Sequence, residues 1–210
     1  LMHDSIKMHL RSDVPVGAYV SGGWDSSIVA ALAQDFESST FFAFTGKFSY
    51  GSEYDESIYA RDLAQMYQMK LFEIDISSQD FIDSISKVIY HLDVPVAGPG
   101  SFAQFHVSRL ASQHRKVVLG GQGGDEIFGG YENFNYLKIF RYINMLKLNK
   151  IFSKAKNLVN LLPISKSNLS LDFKLRRFSQ GMEVDEEFQN TFFLSSLSLE
   201  DHEELFNEKF

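Results

Sequence analysis

The stretch Tyr19-Val20-Ser21-Gly22-Gly23-Trp24-Asp25-Ser26-Ser27 decides the fold. Ahead of it, the apolar run Val14 to Val20 has the composition of a buried strand. Behind it, Ile28-Val29-Ala30-Ala31-Leu32-Ala33 reads as a helix. A strand that runs through Ser-Gly-Gly into a helix leaves several backbone N–H groups unpaired at the positive end of the helix dipole. That end is a ready site for an anionic phosphate. The hydroxyls of Ser26 and Ser27 add donors, and Asp25 adds a carboxylate able to hold a phosphate-bound Mg2+. The stretch points to an α/β chain that binds a nucleotide.

The order of residues excludes two common nucleotide sites. A Walker loop needs Gly-Lys-Ser/Thr, and here Gly46-Lys47 is followed by Phe48. A dinucleotide fingerprint needs G-x-G-x-x-G at the helix start, which Gly22-Gly23 does not supply. A bare Ser-Gly-Gly turn also serves as a helix cap, so the stretch needs company. It finds it in Lys116-Val117-Val118-Leu119, a second short apolar strand, followed by Gly120-Gly121-Gln122-Gly123-Gly124-Asp125-Glu126-Ile127-Phe128-Gly129-Gly130-Tyr131. Two strand ends each run into glycines and then an acidic residue at a helix start. In a parallel sheet both ends face one crevice, so Asp25 and Asp125 can approach one Mg2+–pyrophosphate from two sides. Glycines at 121, 123 and 124 let the backbone come close to a nucleotide.

The string SGGWDSS resembles the pyrophosphate loop of the N-type ATP pyrophosphatases. With VVLGGQGGDEIFGGY it resembles the synthetase domain of glutamine-dependent asparagine synthetases, over about residues 1 to 137. Phe41-Phe42-Ala43-Phe44-Thr45, Tyr54-Asp55-Glu56-Ser57 and Asp93-Val94-Pro95 belong to the same likeness. The resemblance implies a Rossmann-like (adenine nucleotide alpha hydrolase-like) parallel sheet with helices on both faces. It implies that Ser21, Gly22, Gly23, Asp25, Ser26 and Ser27 cradle pyrophosphate and that Val20, Phe44 and Gly121 contact adenosine, largely through backbone. Asp25 and Asp125 would face magnesium, with Asp25, Asp125 and Gln122 the catalytic set. ATP and Mg2+ are the implied cofactors, and aspartate the implied carboxylate substrate, adenylylated and then amidated by ammonia from a glutaminase domain upstream. A cytoplasmic location and a homodimer complete the expectation.

Two departures stand out. The family motif carries a Glu where this chain has Gln122, and a Gln side chain cannot take up a proton. Three readings stay open: another group is the base, the amine acceptor differs, or Gln122 orients the acyl-adenylate. Trp24 replaces a usual Leu, as a large apolar anchor in a position expected to pack. A different carboxylate substrate, or a nucleotide-binding module without ligase activity, are the alternatives to asparagine formation.

The chain has 210 residues, 44% of them hydrophobic and 14% aromatic, enough for a sizeable core. No run of 18 apolar residues indicates a membrane span, and the start lacks the pattern of a signal peptide. With zero cysteines there is no disulfide framework, no thiolate metal site and no thiol nucleophile for a glutaminase. The family's EARxPFLD-type segment and a later basic residue are absent, so the chain reads as a fragment, inactive by itself.

Strands are expected near 15–20, 40–45, 71–75 and 116–120. Helices are expected near 4–10, 26–36, 53–68, 78–90 and 101–114. Ser52-x-x-Asp55 has the form of a capping box for the third helix. Leu92 to Gly100 reads as a loop able to lie over the nucleotide, with Ser101 capping the next helix. Residues 138–210 read as a helical extension of the 1–137 domain. Between Leu137 and Arg177 stand ten Lys/Arg and one Asp, against ten basic and 26 acidic residues elsewhere. A solvated face is the plain reading of that run, and neither nucleic acid nor membrane is expected as a partner. Phe140, Tyr142 and Phe152 fall at core spacing. His91 and His106 flank the proline loop and read as helix-end or packed histidines.

Overall fold

Four apolar runs become four parallel strands: β1 (Val16–Tyr19), β2 (Phe42–Lys47), β3 (Lys70–Asp75) and β4 (Val117–Leu119), in the order β3-β2-β1-β4. The computed structural model describes residues 1–37, 39–48, 55–93, 99–131, 133–146 and 171–182, with positions 184 and 192. They belong to two compact units, Leu1–Ile127 and Phe128–Phe210. Between the strands run α1 (Met2–His9), α2 (Trp24–Phe36), α3 (Ser57–Met66), α4 (Ser78–Leu92) and α5 (Pro99–Ser112). The short α6 (Gly124–Phe128) follows β4. The α/β expectation holds, with each strand within two residues of its expected place.

Alternation along the strands sorts the core into two layers. Ala18 and Val20 of the β1 segment and Phe41 and Ala43 of the β2 segment pack with Ile6, Ala30, Ala33, Ala60 and Ala64 from α1, α2 and α3. Alanines at these contacts let the helices lie close on the sheet. On the other face Phe44 packs with Ile76, Val88, Phe102, Val107 and Ala111, from α4, α5 and the end of β3. Helices therefore cover both faces, as the resemblance implies. Burying a phenylalanine such as Phe44, at 0% exposure, stabilises by roughly 1.5–3 kcal/mol.

Topology places the crevice. The chain moves outward from β1 to β2 and β3, then returns to set β4 on β1's other side, in register Val16↔Val117 and Ala18↔Leu119. The order reverses between β1 and β4, and beyond their carboxyl ends lies the ligand crevice of an open α/β sheet. Both glycine motifs leave the sheet there.

Two local expectations are corrected. Asp55 is not the third residue of a capping box, because α3 begins only at Ser57; it accepts the Ser57 N–H at 3.1 Å from outside the helix. Ser52 lies outside the described residues. The capping box forms instead at α4, where Ser77 Oγ accepts from the Asp80 N–H and Asp80 Oδ2 accepts from the Ser77 N–H. Ser101 does not cap α5, which starts at Pro99. Proline's fixed φ and missing N–H suit the first helical position. Residues 94–98 of the expected loop lie outside the described set.

In the second unit, α7 (Asn133–Met145) and α8 (Leu171–Gly181) are helical, as expected for that segment. Phe140 is buried and its ring lies 4.6 Å from that of Phe178, so it is core; Tyr142 is exposed. Phe152 and much of the basic run lie outside the described residues. No helix among the described residues is long and apolar enough to cross a membrane.

Candidate functional site

The Ser21–Ser27 turn is braced from within. Ser26 Oγ donates to the Gly23 carbonyl at 3.2 Å, accepts the Ser21 N–H at 3.1 Å and lies 3.0 Å from Ser21 Oγ. Ser21 Oγ accepts the Gly23 N–H at 3.3 Å. A hydroxyl has one proton and two lone pairs, so Ser26, which is buried, is fully occupied in shaping the loop. Ser27's hydroxyl makes no hydrogen bond among the described residues. The Ser27 N–H closes the first helical turn on Gly23, and α2 carries no side-chain cap. The N–H groups of Trp24, Asp25 and Ser26 therefore point out of the helix start toward the crevice end of β1.

Glycine is required where this turn bends. Gly22 sits at φ +92°, and a Cβ there would come within 2.6 Å of the Glu56 carbonyl. The turn is thus pressed against the start of α3. The nearby Ser57, through its hydroxyl first and its backbone N–H after, holds the Asp55 carboxyl below the usual carboxylate range, and the N–H donates to it at 3.1 Å.

The second motif meets the first at Asp25. A Cβ on Gly121 would fall within 3 Å of the Asp25 backbone carbon and Cβ, and would overlap the Ser26 N–H. The Asp25 carboxylate occupies the space that a Cβ on Gly124 would take, so it lies directly on the start of α6. Asp125, the next residue, is half-buried, and Gln122 is exposed. Asp25 and Asp125, each just past a strand end, are the oxygen-donor type that Mg2+ takes. That ion binds one or two carboxylates and keeps its other positions for water and phosphate oxygens. Among the described residues no cluster of three or more acidic, His or Cys side chains forms an all-protein cage.

A cleft of about 260 Å3 opens at the carboxyl ends of β1 and β2. Val20, Ser21 and Phe44 line it, as do residues that the sequence did not single out: Thr45, Phe48, Glu56, Gln104 and Val107 among them. Val20 and Phe44 are buried, and the Val20 N–H donates to the Phe44 carbonyl at 2.9 Å, so they offer the cleft backbone rather than side chain. Gly121 lies against Asp25 and Ser26 and is not part of the cleft wall. Of the loop at 92–100, Gly100 reaches the cleft. The strand-end positions Thr45 to Phe48 were open to the same crevice rule as Val20; the α5 residues carried no local signal.

Trp24 corrects an expectation. It is 85% exposed at the first position of α2 and anchors nothing in the core. His106 is buried, its ring edge-on to Phe102 and its Nε2 3.0 Å from Ser84 Oγ, which donates its proton to the Asp80 carbonyl. His91 is exposed in the last turn of α4. Neither lines the cleft.

The asparagine synthase family model matches residues 1–204. Asparagine synthetase [glutamine-hydrolyzing] 1 of Bacillus subtilis is 35% identical over 133 residues, 62% of this chain and 20% of the relative. Asparagine synthetase B [glutamine-hydrolyzing] of Escherichia coli is 31% identical over 147 residues, 64% of this chain and 26% of the relative. Amidase chyE of Penicillium rubens is 30% identical over 145 residues, 62% of this chain and 22% of the relative. The chain thus spans about a fifth to a quarter of the length of these relatives. The family model covers nearly all of the 210 residues, and the chain belongs to the asparagine synthase family.

Proposed function

We propose that this chain is the ATP-binding part of an amide-forming ligase that activates a carboxylate as an acyl-adenylate, with aspartate as the first substrate to test. The observation that carries the reading is the contact of the Asp25 carboxylate with Gly124, which joins the two motifs at the sheet's switch point. The α2 N–H groups at 24–26 and the Ser27 hydroxyl hold pyrophosphate, with Ser26 fixing the loop in shape. These donors are oriented before the substrate arrives, so they stabilise the charge that develops on the leaving pyrophosphate without reorganising. Asp25 and Asp125 hold the metal. Mg2+ supplies charge neutralisation at the phosphates. The substrate carboxylate oxygen attacks the α phosphorus, the bond to the bridging α–β oxygen breaks, and pyrophosphate leaves. Ammonia then attacks the acyl carbon, AMP departs with the bond electrons, and the nitrogen gives up a proton to water to leave the amide.

Glutamine is the ammonia source suggested by the relatives' names, through a glutaminase carried outside these 210 residues. A second reading rests on Gln122 and on the likeness to a relative named as an amidase: the same adenylylation serves a different carboxylate. Both are tested by incubating the protein that carries this chain with Mg2+, ATP, ammonia and a panel of carboxylates. AMP and pyrophosphate formed only with a cognate carboxylate support adenylylation, and the productive carboxylate decides between the readings. ADP and phosphate, or no turnover with tight ATP binding, overturn it.

A further inference from the structure

The cleft holds a polar relay outside the phosphate loop. Gln104 of α5 lines the cleft, and its Nε2 donates to Ser108 Oγ at 3.2 Å. Ser108 Oγ lies 2.9 Å from the Tyr19 hydroxyl, and Tyr19, the last residue of β1, lines the same cleft. Gln104 makes no other hydrogen bond among the described residues. With one N–H engaged by Ser108, its amide retains a carbonyl oxygen and a second N–H, an acceptor and a donor side by side. Gln104 is exposed at the cleft, the apolar side chains beside it are those of Phe48, Ala103 and Val107, and Glu56 is the one charged residue among the described lining.

A neutral, flat group with apolar faces and a donor–acceptor edge suits such a slot, and a nucleobase is that kind of group. Ser21, the first residue of the phosphate turn, lines the same cleft, so a nucleotide with its phosphates on the turn has its nucleoside end within reach of the cleft. An amide matches adenine in two bonds, its oxygen accepting from the 6-amino group and its N–H donating to a ring nitrogen. We propose that Gln104 contacts the 6-amino edge of the adenine base, and that Ser108 and Tyr19 are positioning residues that fix its amide. The inference rests on the ATP-binding reading above and adds a side-chain determinant of base selectivity to it.

The test is calorimetric titration of the full chain with Mg–ATP and with the triphosphate of purine riboside, which lacks the 6-amino group. The wild type should bind ATP about tenfold more tightly than the analogue, the scale of a good bidentate pair. Gln104→Leu, and Gln104→Met as a near-isosteric second variant, should cut that ratio at least about fivefold while triphosphate binding persists. Ser108→Ala should lower the ratio by less, since it loosens the amide without removing it. A ratio unchanged in both Gln104 variants, with ATP still bound, overturns the inference alone. Failure of the wild type to bind either nucleotide overturns it together with the proposed function.

Discussion

At the residue scale, the site is made by side chains that differ in what they do although they are neighbours in sequence. Asp25 faces the second motif, whereas Ser26 turns inward and spends its hydroxyl on the loop. Asp25→Asn keeps the shape and removes the charge. Pyrophosphate release should fall by about a hundredfold or more, the scale of one lost electrostatic contact in a transition state, with melting temperature nearly unchanged. Ser26→Ala should instead cost roughly 1–3 kcal/mol of stability, read by denaturant unfolding, because it strips the internal partners of Ser21 and Gly23. Gly121→Ala forces a Cβ against Asp25 and Ser26, so it should abolish nucleotide binding in a chain whose circular dichroism is still α/β. The sequence made Ser21 to Ser27 legible as a phosphate turn, since glycines and a helix start are local signals. It did not reveal which serine faces inward, nor that Trp24 faces solvent, because both depend on the rotation of α2 against the sheet.

At the scale of elements, the capping box of α4 links stability to pH. Hydrogen bonds from Ser77, its hydroxyl first and its N–H second, hold the Asp80 carboxyl below the usual carboxylate range. A carboxyl depressed in the folded state adds stability that is present above the unfolded pKa of about 3.9 and is lost as pH falls through the lower folded value. Ser77→Ala should therefore lower the urea midpoint near neutral pH, and that difference should shrink as pH falls below about 4. Urea unfolding of both proteins at pH 7 and pH 3 checks the sign, and a difference that grows in acid would contradict it. Ser77-x-x-Asp80 forms the kind of cap expected of Ser52-x-x-Asp55. The helix that packs on the sheet begins at Ser57, which leaves Asp55 outside it, and spacing by itself does not mark that start.

At the scale of the molecule, the strand order β3-β2-β1-β4 brings together two motifs nearly a hundred residues apart. Parallel strands with glycine ends were readable from composition, and so was the crevice they share. The wall that α5 gives the cleft was not, because Gln104 and Val107 follow ordinary helical spacing and acquire meaning only from where α5 crosses β2. Mg–ATP at a hundred times its dissociation constant should raise stability by about 2.7 kcal/mol and the melting temperature by several degrees, and Gly121→Ala should remove that rise. The central claim is that a carboxylate attacks the α phosphorus at this site. Turnover of ATP with aspartate carrying 18O in its side-chain carboxylate, followed by mass spectrometry of the AMP, tests it most directly. One 18O should be transferred into each AMP, with unlabelled pyrophosphate. AMP without the label, or ADP with phosphate, would contradict it.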